Sequence, residues 1–207
     1  MITGSLVQTS HGQRCTFEAH SDTGVLYARA SMPNFPPSGE GSYESGMTRA
    51  TLSFDAIIPR NGSPVIENGV QIGFVYSEMA YARQGGSSIL TNDPSDNQFR
   101  GWTYRFYTVV PERGRAFTIG YRVGADGGEV KVAQVEIGMT LVNCCMTYRF
   151  AITDLEAIDA TMLRMIFMTQ YCDDHVGEII MKGKHKLFAF KSKKADLLAR
   201  FDPAWGA

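Results

Sequence analysis

Apolar and polar residues alternate with a period of two up to about residue 142, and each run is closed by turn residues, as half-buried β-strands require. Residues 24–30 open the series. Residues 50–58 place Leu52, Phe54, Ala56 and Ile58 on one face and stop at Pro59, Asn61 and Gly62. Residues 70–76 repeat the pattern through Val70, Ile72, Phe74 and Tyr76. Residues 102–110 set Trp102, Tyr104, Phe106 and Thr108 inward against Thr103, Arg105 and Tyr107, and Pro111 closes the run. Residues 117–123 send Phe117, Ile119, Tyr121 and Val123 inward and Thr118, Gly120 and Arg122 outward.

The turn signal Ala125-Asp126-Gly127-Gly128 leads into a strand over residues 129–137. Its apolar set slips from Val130 and Val132 to Val135 and Ile137, which predicts a β-bulge near Ala133 and Gln134. Two long connections, 31–48 and 82–100, are rich in Gly, Pro and Asp and are candidate rims of a binding site or crossovers between sheets. Many strands, short turns and no intervening helix predict an antiparallel β-sandwich over residues 1–143.

After Asn143 the pattern changes. Residues 145–152 read as a strand, and Thr153-Asp154-Leu155-Glu156 is a capping box that opens a helix to about Tyr171. A hairpin over 177–191, a short helix around 194–198 and an extended piece ending at Trp205 follow. Residues 144–207 are thus expected to form a small α+β unit that serves attachment or oligomerisation.

Composition narrows the partners. With 20 basic and 21 acidic residues the formal net charge is −1, so no global field recruits nucleic acid or an anionic membrane. No basic start followed by an apolar run marks a signal peptide, and no stretch has the roughly 18 apolar residues of a spanning helix, so synthesis in the cytoplasm is expected, with incorporation into a virion or other assembly left open. Cys15, Cys144, Cys145 and Cys172 are expected to be reduced and mostly buried thiols.

The segment 101–111, from Gly101-Trp102 to Val110-Pro111, resembles a recurring element of galactose-binding-like jelly rolls, including many carbohydrate-binding modules. The strand 117–123, the Gly-rich turn and the closing strand 130–137 follow in the family's order, Thr16-Phe17-Glu18 resembles its early Phe-Glu pair, and 51–58 resembles its strand after the first long loop. The resemblance spans roughly residues 15–141. It implies a jelly-roll sandwich that binds sugars. Family members often close with an acidic pair that helps hold a structural calcium ion; here those positions read Ala133 and Gln134, which disfavours calcium, and no other metal or cofactor is expected.

Sugar recognition uses aromatic faces and planar hydrogen-bonding groups, so the candidate ligand-binding residues are Tyr27, Arg29, Tyr76, Tyr81, Arg105, Tyr107 and Arg122. The commoner use of such residues is to cover an exposed face or, here, to meet the C-terminal unit. Cys172-Asp173-Asp174-His175 lacks the further ligands of a zinc site, and no nucleophile elbow, Walker loop or dinucleotide fingerprint occurs. The lysines between Lys182 and Lys194 alternate with aromatics as in a phosphate-binding hairpin, although guarding an edge strand is the commoner use. The sequence therefore predicts a non-catalytic, lectin-like carbohydrate-binding or adhesive protein. The alternative is a structural or decoration protein of a phage or virus particle, itself able to bind glycans, working as a homo-oligomer or in a larger assembly.

Overall fold

The computed structural model describes residues 1–11, 14–33, 38–45, 48–55, 63–67, 69–75, 80–84, 87–91, 96–99, 101–112, 115–137, 147–153 and 195–206. Among them the chain forms β1 (Ile2–His11), β2 (Arg14–Ser21), β3 (Leu26–Pro33), β4 (Ser38–Ser45), β5 (Thr48–Asp55), β6 (Ser63–Glu67) and β7 (Val70–Val75). Then come β8 (Ala80–Gln84), β9 (Ser87–Thr91), β10 (Asp96–Phe99), β11 (Trp102–Glu112), β12 (Arg115–Val123), β13 (Glu129–Ile137), β14 (Thr147–Ile152) and a single helical turn, α1 (Ala195–Leu198).

The expected mainly-β content is present, but the jelly roll is not. Twelve strands form one antiparallel sheet in the order β1-β14-β13-β12-β11-β10-β7-β6-β5-β4-β3-β2, and pairing of β1 with both β14 and β2 closes the order on itself. Neighbours in sequence are neighbours in space, apart from β7 with β10, which skip the separate β8-β9 hairpin. A jelly roll needs Greek-key connections between two stacked sheets. This single up-and-down sheet has none among the described residues, and the galactose-binding-like resemblance is thereby overturned. The carbohydrate-binding, lectin-like or adhesive reading and the particle-protein alternative lose the sandwich on which both stood.

Nor does a C-terminal α+β unit stand among the described residues. β14, expected to open it, is part of the ring, with Phe150 opposite both Val135 and Gly4. The helix expected from 153 and the hairpin over 177–191 lie outside the described residues, as do Cys144, Cys145 and Cys172. No helix among those described is long and apolar enough to cross a membrane.

Register shows which residues share a face, since residues directly opposite point to the same side. Leu6 lies opposite Ala19 and Tyr148, Phe17 opposite Ala30, and Gly120 opposite Phe106 and Ala133. These residues are buried, and with Tyr43 and Tyr104 they form the inner face. On β14 the alternation is plain: Tyr148 and Phe150 are buried while Thr147 and Arg149 are exposed.

On β12 the expected faces are reversed. Phe117, Ile119 and Tyr121 lie opposite Val109, Tyr107 and Arg105, on the outer face, whereas Thr118 and Gly120 point inward with Phe106. The apolar outer-face residues are buried too, because residues 195–206 cross this face and Leu198 and Phe201 pack on Tyr107, Val109, Phe117, Ile119 and Tyr121. A strand covered on both sides carries no solvent-facing set by which to orient the alternation. The expected bulge is there: Gly120 faces Ala133 and Tyr121 faces Lys131, which leaves Val132 unopposed, just before the anticipated position.

Candidate functional site

Of the seven candidate residues, only Arg105 and Tyr107 come together. Both serve the chain's own C-terminal segment. Glu129 Oε1 accepts from Arg105 Nη1 at 2.8 Å and from the Tyr107 hydroxyl at 2.5 Å, and its Oε2 accepts from Arg200 Nη1 at 2.5 Å. The Arg200 guanidinium stacks 3.9 Å from the Tyr107 ring and 4.9 Å from that of Tyr121. Burial works to raise the Glu129 carboxyl, but the hydrogen bonds from Tyr107, Arg200 and Arg105 outweigh it and hold the group below its ordinary value. Burial, helped by the bond to Glu129, pushes the Tyr107 phenol up.

The segment is fastened along its length. Phe201 packs 4.6 Å from Phe117, Gln134 Nε2 donates to the Asp202 carbonyl at 3.0 Å, and Trp205 Nε1 donates to the Ala151 carbonyl at 3.2 Å. Lys131 Nζ donates to Gln134 Oε1 and to the Arg200 carbonyl and sits 4.5 Å over the Trp205 ring. Burial lowers the Lys131 ammonium. Gly206, at φ 79°, lets the backbone close on β14, since a Cβ there would collide with that of Ala151.

The other candidates are scattered. Tyr27 is the unopposed residue of a second bulge, between Ala19/Ala28 and His20/Leu26, with its ring 6.5 Å from Phe150. Arg29 pairs with Glu18 at 2.9 Å on the outer face, and the His20 and Arg29 contacts hold the Glu18 carboxyl low. Arg122 lies over the Trp102 ring at 4.6 Å. Tyr81 is in the separate β8-β9 hairpin, and Tyr76 lies outside the described residues.

Two other features stand out. The first is a rim. Among the described residues the exposed large apolar side chains are Met1, Val25, Leu26, Val70, Trp102 and Val130. All six lie at one end of the barrel, where β1 begins, β14 ends, and the β2-β3, β6-β7, β10-β11 and β12-β13 turns close. Three follow a glycine of positive φ: Gly24-Val25, Gly69-Val70 and Gly101-Trp102. Tight turns thus set apolar side chains at the barrel mouth. Trp102, expected in the core, is 46% exposed there, because the inner face of β11 reaches solvent at the strand's end.

The second is a cleft of about 220 Å³ between the C-terminal segment and the outer face of β1, β14, β13 and β12. Thr3, Asp22, Arg115, Phe117, Glu136, Arg149, Phe201 and Trp205 are among the residues lining it. Arg115 donates to Glu136 at 2.7 Å and to Glu112 at 3.0 Å. Asp22 accepts a hydrogen bond from the Thr3 hydroxyl.

Glu129, Arg200, Arg149 and the rim were missed by sequence reasoning. The rim had a readable signal, a glycine followed by a large apolar residue at three turn positions. The Glu129 cluster had none, since its members lie 71 residues apart. Among the described residues no three His, Cys, Asp or Glu side chains are grouped to hold a metal ion. Compared with family models, curated proteins and solved structures, the chain matches none.

Proposed function

We propose that this chain is a non-catalytic β-barrel that works by docking, its apolar rim meeting the rim of a second copy. The observation that carries this reading is the gathering, at one barrel end, of all six large apolar residues exposed among the described ones, while mid-strand outer positions carry charges such as Glu18, Arg29 and Arg149. Apolar groups concentrated against a charged wall mark a contact surface rather than random exposure.

A second copy suits this end. The chain's net charge of −1 gives little repulsion between copies, and the rim carries both signs, with Arg122 over Trp102 and Asp22 and Asp126 in the turns. An anionic lipid surface would meet the two carboxylates unfavourably. A non-catalytic role is supported by the perturbed groups: Glu129, Tyr107, Arg200 and Lys131 are all engaged in fastening the C-terminal segment.

Size-exclusion chromatography with light scattering tests the reading on wild type and on Trp102→Asp and Val70→Asp variants. A wild-type dimer that becomes monomeric in the variants, with circular dichroism unchanged, is expected. A wild type that stays monomeric at high concentration overturns it.

A further inference from the structure

We propose that the cleft beneath the C-terminal segment binds a small zwitterion of the amino-acid class, with Arg149 taking its carboxylate and Asp22 its ammonium group. The proposal does not rest on the docking reading.

Arg149 carries the argument. It is exposed on the outer face of β14, opposite Glu136 on one side and Ser5 on the other. Glu136 is its natural partner, yet that carboxylate is turned to Arg115 Nε at 2.7 Å. The guanidinium groups of Arg29, Arg105, Arg115 and Arg200 all hold carboxylates, and that of Arg122 lies on an indole; Arg149 makes no ion pair or ring contact among the described residues. It therefore offers its fork of donors to a carboxylate from outside the chain.

Asp22 supplies the opposite charge. Its carboxylate accepts from the neutral Thr3 hydroxyl and makes no salt bridge among the described residues, which leaves lone pairs for a donor. Thr3 and Ser5 are two residues apart on β1, a spacing of about 7 Å, and Asp22 contacts the first while Arg149 flanks the second. With both side chains able to reach inward, a small molecule with its two charges a few ångströms apart bridges them. Arg115 and Glu136 neutralise one another, so the lining charge sums to zero, which suits a zwitterion better than an anion.

The remaining wall selects the body of the ligand. Phe117, Phe201 and Trp205 line the same cleft and offer ring surface to an apolar side chain. At about 220 Å³ the space accommodates a single amino acid.

Isothermal titration calorimetry on the full chain tests this, with phenylalanine as the probe and phenylacetate and phenethylamine as its two half-charged analogues. Saturable binding of phenylalanine is expected, with each analogue weaker by roughly tenfold, the weight of one charge-assisted hydrogen bond. Arg149→Ala and Asp22→Asn should each cost a similar factor without moving the melting temperature, and Arg149→Lys should recover part of the loss. No saturable binding at millimolar phenylalanine overturns the proposal. So does phenylacetate binding as tightly as phenylalanine, which would mean a plain anion site, and so does full affinity in Arg149→Ala.

Discussion

The guanidinium of Arg200 lies 3.9 Å from the ring of Tyr107, and the two side chains donate to different oxygens of Glu129. One carboxylate thereby joins β13, β11 and the C-terminal segment. Leu198 and Phe201 flank Arg200 in sequence and bury apolar surface on the same outer cluster. The segment is held by apolar contact as well as by charge.

Removing Arg200 separates these contributions. Arg200→Ala leaves Glu129 with Arg105 and Tyr107, so the carboxylate stays partnered and the loss should be about 1.5–3 kcal/mol, the range for a hydrogen bond to a charged group. The loss should be local. Hydrogen exchange is expected to rise in residues 195–206 while the amides of β1 and β14 keep their protection, and denaturant melts report the energy.

The same cluster sets a pH window. The folded carboxyl of Glu129 titrates below its unfolded value of about 4.3, so its contribution is complete above that value and is lost as pH falls through the lower folded value. Tyr107 is raised, so its contribution is complete below its unfolded value of about 10 and is lost as pH rises through the higher folded value. Stability measured against pH should therefore fall at both extremes. Glu129→Gln should flatten the acid limb and Tyr107→Phe the alkaline one; unchanged limbs in both variants would show that the cluster does not govern them.

Individual strands were far more legible than their arrangement. The strand over 129–137 has the boundaries read from alternation, and its bulge falls beside the expected residues, because a half-buried strand writes its period and its slips directly into apolar positions. Connectivity leaves no such mark. Alternating strands with short turns serve a meander as well as a jelly roll, and β4, hidden in the Gly- and Pro-rich stretch 31–48, shows how a hairpin can pass for a long loop. Of the candidate site, Arg105 and Tyr107 lie on the outer face, and nothing local to β11 announces that residues more than ninety positions later will cover them.

The inner face offers a packing test at Gly120. A Cβ there would stand 2.9 Å from Phe106 Cε1 and 3.3 Å from the Ala133 Cβ, both buried. Gly120→Ala should cost about 1–3 kcal/mol by overpacking. Adding Phe106→Leu, which withdraws the ring edge, should make the alanine less costly than it is alone, a coupling that a double-mutant cycle reads from urea melts.

The rim gives the sharpest separation between folding and association. Val70 is 63% exposed and Trp102 46%, so replacing either by alanine removes little buried surface from the single chain and should move its melting temperature hardly at all. In the dimer the same truncation uncovers surface that the partner had dried, at about 1–3 kcal/mol for a central aromatic, or a dissociation constant weaker by roughly five- to 150-fold. Analytical ultracentrifugation over a dilution series reads that constant. Trp102→Ala should shift it more than Val70→Ala, since the indole carries the larger surface and brings Arg122 with it. Equal and negligible shifts at both positions, beside an intact dimer, would place the contact elsewhere on the barrel.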